Sequence, residues 1–430
     1  MPFSIVLALA LVASASTWFY VARVLKPQQI ADAVAHDRPR GNLSDLYPRW
    51  LGSRELLLHG RNPYSAEVTR EIQQGYYGRA LDPARPDDPK DQQGFAYPVY
   101  VVFLLAPTVN LPFEVVQVAF RWLLFGIAAA VILLSLHVLK WKVSRLWSAF
   151  FIVAMLGWLP VVQGIKLQQL SLVVAALLAG TAACVASGWL LCAGALMALA
   201  TIKPQLAWPM VLWLLVWTVS DWRSRRRYAI AFAFVIVLLL GGAELILPGW
   251  LRLFIQAIGQ YHQYTQNQSV LVWMFGPFVG RALEVLSVLA CGMYVWKVRR
   301  YPASSPEFGT AFVLVMALTV VVVPMFAPYN QILLVPAILI LVRHLAFGNE
   351  PVLPAIRLAG MVGGLLLAWP WIATLLLSAA SPWLNPELRN SVWPMPFYSN
   401  FVLPIFVFGL GLLDAWMSED SGLRGNGAAE

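Results

Sequence analysis

Charge is scarce in this chain. Only 12% of its 430 residues are Asp, Glu, Lys or Arg, about half the ~25% usual in a soluble globular protein. That excludes a soluble enzyme of ordinary type. A disordered chain is excluded as well, because disorder requires low hydrophobicity. Cysteine is almost missing: Cys184, Cys192 and Cys291 all fall in apolar runs, without metal-like or redox-like spacing, and read as small buried groups. The five histidines, His36, His59, His137, His262 and His344, are scattered, and no spacing suggests a metal site. A P-loop, an HExxH and a GxSxG are absent. Neither a metal nor a cofactor is expected.

Apolar residues make up 60% of the chain, and the mean hydropathy is +0.69. Apolar runs of about 20 residues recur, as in a polytopic membrane protein. The 19 Trp, 22 Phe and 14 Tyr suit rings anchoring helices at both membrane interfaces. The runs predict an all-α protein with about twelve membrane helices. Their spans are 3–24, 114–139, 146–163, 168–187, 188–201, 204–220, 228–247, 270–296, 308–326, 329–346, 357–379 and 397–416. The N-terminal stretch is similar to a secretory signal, but it has no Lys or Arg before the apolar run, and the run continues to Val24. A retained first membrane helix is expected. The short runs 188–201 and 204–220 flank Lys203-Pro204 and read as two tilted helices or one broken one. A single membrane domain over 1–430 is expected: first helix, outer loop 25–112, remaining helices 113–416 and a cytoplasmic tail 417–430.

The net charge of +9 is explained without nucleic acid as a partner, because basic residues collect in cytoplasmic loops. Lys140, Lys142 and Arg145, then Arg223, Arg225, Arg226 and Arg227, then Lys297, Arg299 and Arg300, then Arg343 and Arg357 occupy four short loops on one side. The short loops opposite hold only Lys166, Lys203, Arg252 and Arg389. The first set is read as cytoplasmic, which places residues 25–96 outside an inner (plasma) membrane. Arg23 and Lys26 alone oppose this orientation.

The outer loop holds ten of the 21 acidic residues. Within it, Leu46, Trp50, Leu51, Leu57 and Leu58 recur near i, i+4 and i+7, the pattern of an amphipathic helix on a membrane surface. Asn62-Pro63-Tyr64 breaks it, and the Pro/Asp-rich 81–94 reads as a mobile turn region. The apolar segment from Tyr97-Pro98 to Pro112 is too short to span and reads as interfacial or re-entrant.

The same face gathers Asp45, Gln163, Lys166, Gln168, Gln169, Lys203, Gln205, Arg252, Tyr261, His262, Tyr264, Gln266, Asn267, Gln268, Tyr329, Asn330 and Gln331. Polar groups at membrane depth are costly and therefore functional candidates. Glycosyl transfer from a lipid-linked phosphosugar fits this set. It needs a carboxylate to take the acceptor proton, cations for the departing phosphate, and amides and rings to hold a sugar. Each residue also has a structural alternative. Asp45 can cap the surface helix, Lys203 can snorkel at a helix end, and the Tyr329 turn can be interfacial. A sugar or lipid transporter is the rival reading, although the two halves show no internal repeat.

The stretch from Asp45 through Gly60-Arg-Asn-Pro-Tyr64 resembles the first-loop signature of GT-C membrane glycosyltransferases: an Asp, an amphipathic helix, then G-x-x-P-Y. Tyr97-Pro98 resembles a YPP-type element. Gln169 and Lys203-Pro204-Gln205 resemble later GQ and KPQ elements. Together they are similar to glycosyltransferase family 87, over nearly the whole chain. Two positions depart from that pattern: Val99 stands where a second Pro is usual, and Gln168 where a Gly is usual. The resemblance implies a GT-C fold and an inverting transfer of a hexose, most simply mannose, from a polyprenyl-phosphate donor to a glycolipid or envelope glycan. It implies Asp45 as general base, Lys203, Lys166 and Arg252 for the donor phosphate, and Gln169, Gln205, His262, Tyr329 and Asn330 for sugar or acceptor. Elimination within the loop also favours Asp45. Asp82, Asp87, Asp88 and Asp91 fall in the expected mobile part, Asp32 and Asp37 lack an apolar frame, and Glu55, Glu67 and Glu71 are expected to face water.

Overall fold

The computed structural model describes residues 3–35, 37, 40–265, 268–324, 327–347 and 354–426. They form helices joined by short turns, with no strand among the described residues. Among the described residues, six helices are long and apolar enough to cross a membrane: Phe3–Ala35, Phe113–Val138, Trp222–Ile246, Val270–Val298, Arg357–Ala380 and Met395–Trp416. Arg145–Gly157 and Leu159–Lys166, bent by 62°, add a seventh if taken as one span. Four shorter apolar helices, Leu170–Ala186, Leu190–Ala200, Pro204–Ser220 and Pro306–Val322, pack with them. The chain is thus an all-helical polytopic membrane protein.

Prolines set the breaks. Pro160 has no N–H to donate, and its ring would collide with the carbonyl of Leu156. The chain therefore turns at Trp158, which is extended (φ −73°, ψ 126°). Pro204 occupies the first position of its helix and holds Lys203 outside it at φ −127°, ψ 76°, as expected for a residue before proline. Leu190–Ala200 and Pro204–Ser220 are consequently two helices that reverse at Thr201–Lys203. The first helix runs past its expected end at residue 24 and reaches Ala35. A π turn over Tyr20–Leu25 accommodates Pro27 by widening the helix before it.

The helices have two distinct ends. At one, the Arg225 guanidinium donates to the carbonyls of Arg299 (2.8 Å), Arg300 (3.0 Å) and Tyr301 (3.0 Å). Arg343 reaches the Leu139 carbonyl at 3.1 Å, and Lys140 bonds the Ser304 carbonyl. Four of the basic stretches found in the sequence therefore meet at one end. At the other, the Asp45 N–H donates to the Leu167 carbonyl at 2.8 Å, and Lys203 donates to Ser171. Pro204–Ser220 links the two ends, because Ser220 Oγ donates to the Arg299 carbonyl at 2.6 Å.

The first-loop helices Tyr47–His59 and Ala66–Tyr77 are packed into the protein at this second end. Leu46, Trp50, Val68, Ile72 and Phe95 are buried in the main core. Phe113, at the start of its long helix, meets Tyr47 at 4.8 Å and Trp50 at 5.1 Å between ring centroids. Between these helices and Phe113, Val101–Leu105 and the 3₁₀ turn Ala106–Thr108 are too short to cross, as expected for that segment. Three expectations need correction. Glu55 does not face water: it is buried and bonded by Arg61 (2.8 Å), which also grips both Glu71 oxygens (2.6 and 3.0 Å). Residues 81–94 are tied down, by Arg79 to both oxygens of Asp88 (2.6 and 2.9 Å) and by the Tyr77 hydroxyl to the Asp91 carbonyl (2.7 Å). Trp250–Thr265 is a helix rather than a polar loop.

Candidate active site

The turn carrying Asp45 is built so that its carboxylate is free of capping duty. The Ser44 N–H donates to Asn42 Oδ1 at 2.9 Å, and the Leu46 N–H to Ser44 Oγ at 3.3 Å. Ser44 and Asn42 hold the turn, so Asp45 is not a helix cap. Leu43 before it takes a positive φ of 50°, a strained conformation for a side-chain-bearing residue. The Asp45 carboxylate instead accepts from Tyr76 (3.1 Å) on one oxygen and from Gln169 on the other. Burial raises its pKa above the ordinary carboxylate value, while Arg49, Gln169, Tyr76 and Lys203 pull the other way.

Gln169 reaches Asp45 from the start of Leu170–Ala186. Gln168 before it adopts φ 51°, a conformation that glycine takes without penalty. This is the position where the resemblance expects Gly. Gln168 holds the turn through its side chain, donating to the Ile165 (2.9 Å) and Lys166 (2.8 Å) carbonyls.

Lys203 lines, with Asp45, a cavity of about 290 Å³. Its ammonium donates to Ser171, whose hydroxyl donates to Asn330 Oδ1 at 2.9 Å. The ammonium also lies 5.3 Å from the Tyr329 ring centroid, a cation–π distance. Burial lowers its pKa to about 7; Arg49 lowers it further and Asp45 opposes. Arg49 adds a second cation, one helical turn after Asp45. It donates to the Asp45 carbonyl at 3.0 Å and lies 4.5 Å from the centroid of Tyr97. Tyr97 is placed by Tyr64, whose hydroxyl donates to its carbonyl at 2.6 Å, so two sequence motifs meet directly.

The structure brings Asp45, Gln169, Lys203, Gln205, His262 and Tyr329 to the lining of one cavity. Asn330 is buried behind it and acts through Ser171. Lys166, bonded to Gln29 at 3.3 Å, and the exposed Arg252 do not line it. Gln266 and Asn267 lie outside the described residues. Sequence reasoning missed Arg49, Tyr97, Asp91 and Gln93 as lining residues. Arg49 was discoverable, being four residues after Asp45 on the same helix face. Asp91 and Gln93 carried no local signal. Phe254, Ile258 and Ile202 form an apolar side of the same cavity.

Anionic and cationic groups thus line one partly apolar cleft, next to amides and phenols suited to a sugar. The family model for glycosyltransferase family 87 matches residues 95–328. No curated protein and no solved structure matches the chain.

Proposed function

The chain belongs to glycosyltransferase family 87, and on that premise we propose that it moves a hexose, mannose first among the candidates, from a polyprenyl-phosphate donor to a lipid-linked or cell-envelope glycan. The reaction takes place at the extracytoplasmic face of the inner (plasma) membrane and inverts the anomeric centre. The observation that carries this reading is the gathering of Asp45, Lys203 and Arg49 in the lining of one cavity.

In the step, an acceptor hydroxyl oxygen forms a bond to the anomeric carbon. The bond from that carbon to the phosphate oxygen breaks, and its electron pair leaves with polyprenyl phosphate. The hydroxyl proton passes to Asp45, whose position is held by Tyr76 and Gln169. Lys203 and Arg49 face the phosphate as its charge develops. Arg49 stands in the place that Lys166 and Arg252 were expected to fill. Gln205, His262 and Tyr329 border the sugar. Phe254 and Ile258 offer the prenyl chain an apolar flank.

Purified protein in lipid nanodiscs, given polyprenyl-phosphate mannose and a membrane glycolipid extract, should release polyprenyl phosphate and lengthen an acceptor. Unchanged donor with wild-type protein, against a glucose-donor control that is consumed, would remove mannose from the reading. Neither donor consumed would remove the polyprenyl-phosphate donor itself.

A further inference from the structure

Asp91 lines the same cavity as Asp45, Arg49 and Lys203, yet the transfer step leaves it without work. It is rigidly held. Its Oδ1 accepts from the Gln93 N–H (2.9 Å), its Oδ2 from Gln93 Nε2 (2.9 Å), and its carbonyl from the Tyr77 hydroxyl (2.7 Å). An ionised carboxylate offers about four acceptor positions, so the two Gln93 bonds leave one on each oxygen. Among the described residues Asp91 forms no ion pair. A fixed carboxylate with acceptor capacity on both oxygens, opening into a cavity, is suited to a pair of neighbouring sugar hydroxyls.

The charges indicate which sugar. Arg49 and Asp45 act electrostatically on both Asp91 and Lys203, and all four line one cavity. With the donor phosphate at Lys203, inversion requires attack from the opposite face of the sugar ring. The acceptor then lies away from the phosphate, and Asp45 and Asp91 are the carboxylates that the lining offers it. Lys90 stands at a bend and Gln93 takes a left-handed φ of 54°, so the chain turns here and its side chains divide between two cavities. Asp91 and Gln93 line the inner cavity, whereas Lys90 and Gln92 line a second one of about 540 Å³. The end of Trp250–Thr265 divides likewise: His262 faces inward, and Gln263 lines the second cavity. Asp82 and Arg85 also line that second cavity, which makes it a place for polar rather than acyl groups.

We propose that Asp91, held by Gln93, binds hydroxyls of the acceptor sugar, and that the acceptor is a hydroxyl-rich glycan continuing into the outer polar cavity. This rests on the transferase reading and extends it to the acceptor.

Calorimetric titration tests it without turnover, using wild-type protein, Asp91→Asn and Gln93→Ala in nanodiscs. The probes are soluble manno- and gluco-oligosaccharides in one series and short-chain polyprenyl phosphate in the other. Asp91→Asn should weaken oligosaccharide binding about tenfold or more, the scale of one hydrogen bond to a charged group, and change polyprenyl phosphate binding less than about twofold. Gln93→Ala should weaken the oligosaccharide too. Wild-type protein that binds neither oligosaccharide overturns the proposal, as does Asp91→Asn that binds them normally. Loss of polyprenyl phosphate binding in Asp91→Asn would assign the residue to the donor and overturn it as well. Oligosaccharide binding that depends on Asp91, in a protein that consumes no donor, would uphold this inference while refuting the donor chemistry.

Discussion

Asp45 and Lys203 are both uncomfortable in their site, and the direction of each discomfort predicts a pH profile. Burial raises the Asp45 carboxyl above its ordinary value, so the base becomes protonated at a higher pH than a solvated Asp. Activity on the acid side should therefore fall earlier than an unperturbed carboxylate would dictate. Burial lowers Lys203 to about 7, so in the free protein the phosphate-binding charge is lost as pH rises through neutrality. A bell-shaped kcat/KM with an alkaline limb near neutral pH is expected, and Lys203→Arg should move that limb upward. An unmoved limb would detach Lys203 from it. Asp45→Asn should retain polyprenyl phosphate binding and lower turnover by about 10²-fold or more. Near-normal turnover in folded Asp45→Asn protein would end its role as base. Gln168 presents a structural case. Its φ of 51° is strained for a residue with Cβ, and its side chain repays this with two carbonyl bonds. Gln168→Ala keeps the strain and loses the bonds, so its melting temperature should drop below that of Gln168→Gly. The opposite order would show that the bonds are unimportant.

Among the elements, Leu190–Ala200 lies against Trp222–Ile246 at backbone contact. A Cβ on Gly194 would meet the Tyr228 carbonyl and come within 2.7 Å of the Phe232 nitrogen. Between helices in lipid, small residues permit such approach and the dispersion contact that holds the pair. Gly194→Val should therefore cost about 1–3 kcal/mol as overpacking, visible as a lower melting temperature in detergent. Because none of Gly194, Tyr228 and Phe232 lines the cavity, the surviving folded fraction should keep the wild-type KM for donor. A shifted KM would mean that the pair supports the site directly. Trp250–Thr265 shows where local reading failed. Its His, Tyr and Gln residues look like a loop, but Trp250, Phe254 and Ile258 recur at helical spacing. That face packs on the core at Trp250 and Phe254 and lines the cavity at Phe254, Ile258, Tyr261 and His262.

For the whole molecule, the gathering of basic turns at one end and the cavity at the other makes orientation a single binary question. Reporters fused after Arg227 or Arg300 should be cytoplasmic, and one inserted near Asp88 should be outside, by the positive-inside rule. A cytoplasmic reporter at residue 88 would reverse the side on which the donor is used. Lys203→Ala against Arg299→Ala tests the same polarity chemically. Only the first should weaken donor use strongly, by the roughly 1.5–3 kcal/mol of one charge-assisted hydrogen bond. Equal effects would argue against phosphate binding at the cavity end.

Hydropathy and proline spacing by themselves determined the helical membrane class, the approximate segments and a break at Lys203-Pro204, because both act over a few consecutive residues; that the chain reverses there was left to the structure. Short motifs also marked Asp45, Gln169 and Lys203, since each stands beside a turn whose backbone demands are local. What only the tertiary structure decided was which groups meet. Arg49 entered the site because Tyr97 folds back beneath it. Asp91, set aside in the sequence as part of a mobile turn, entered because Tyr77 and Arg79 anchor its loop over the cavity. Lys166 and Arg252 fell outside because Pro160 bends one helix and Arg252 sits on an exposed face of another. Such convergences depend on contacts between residues distant in sequence, and no local pattern of apolarity or charge encodes them.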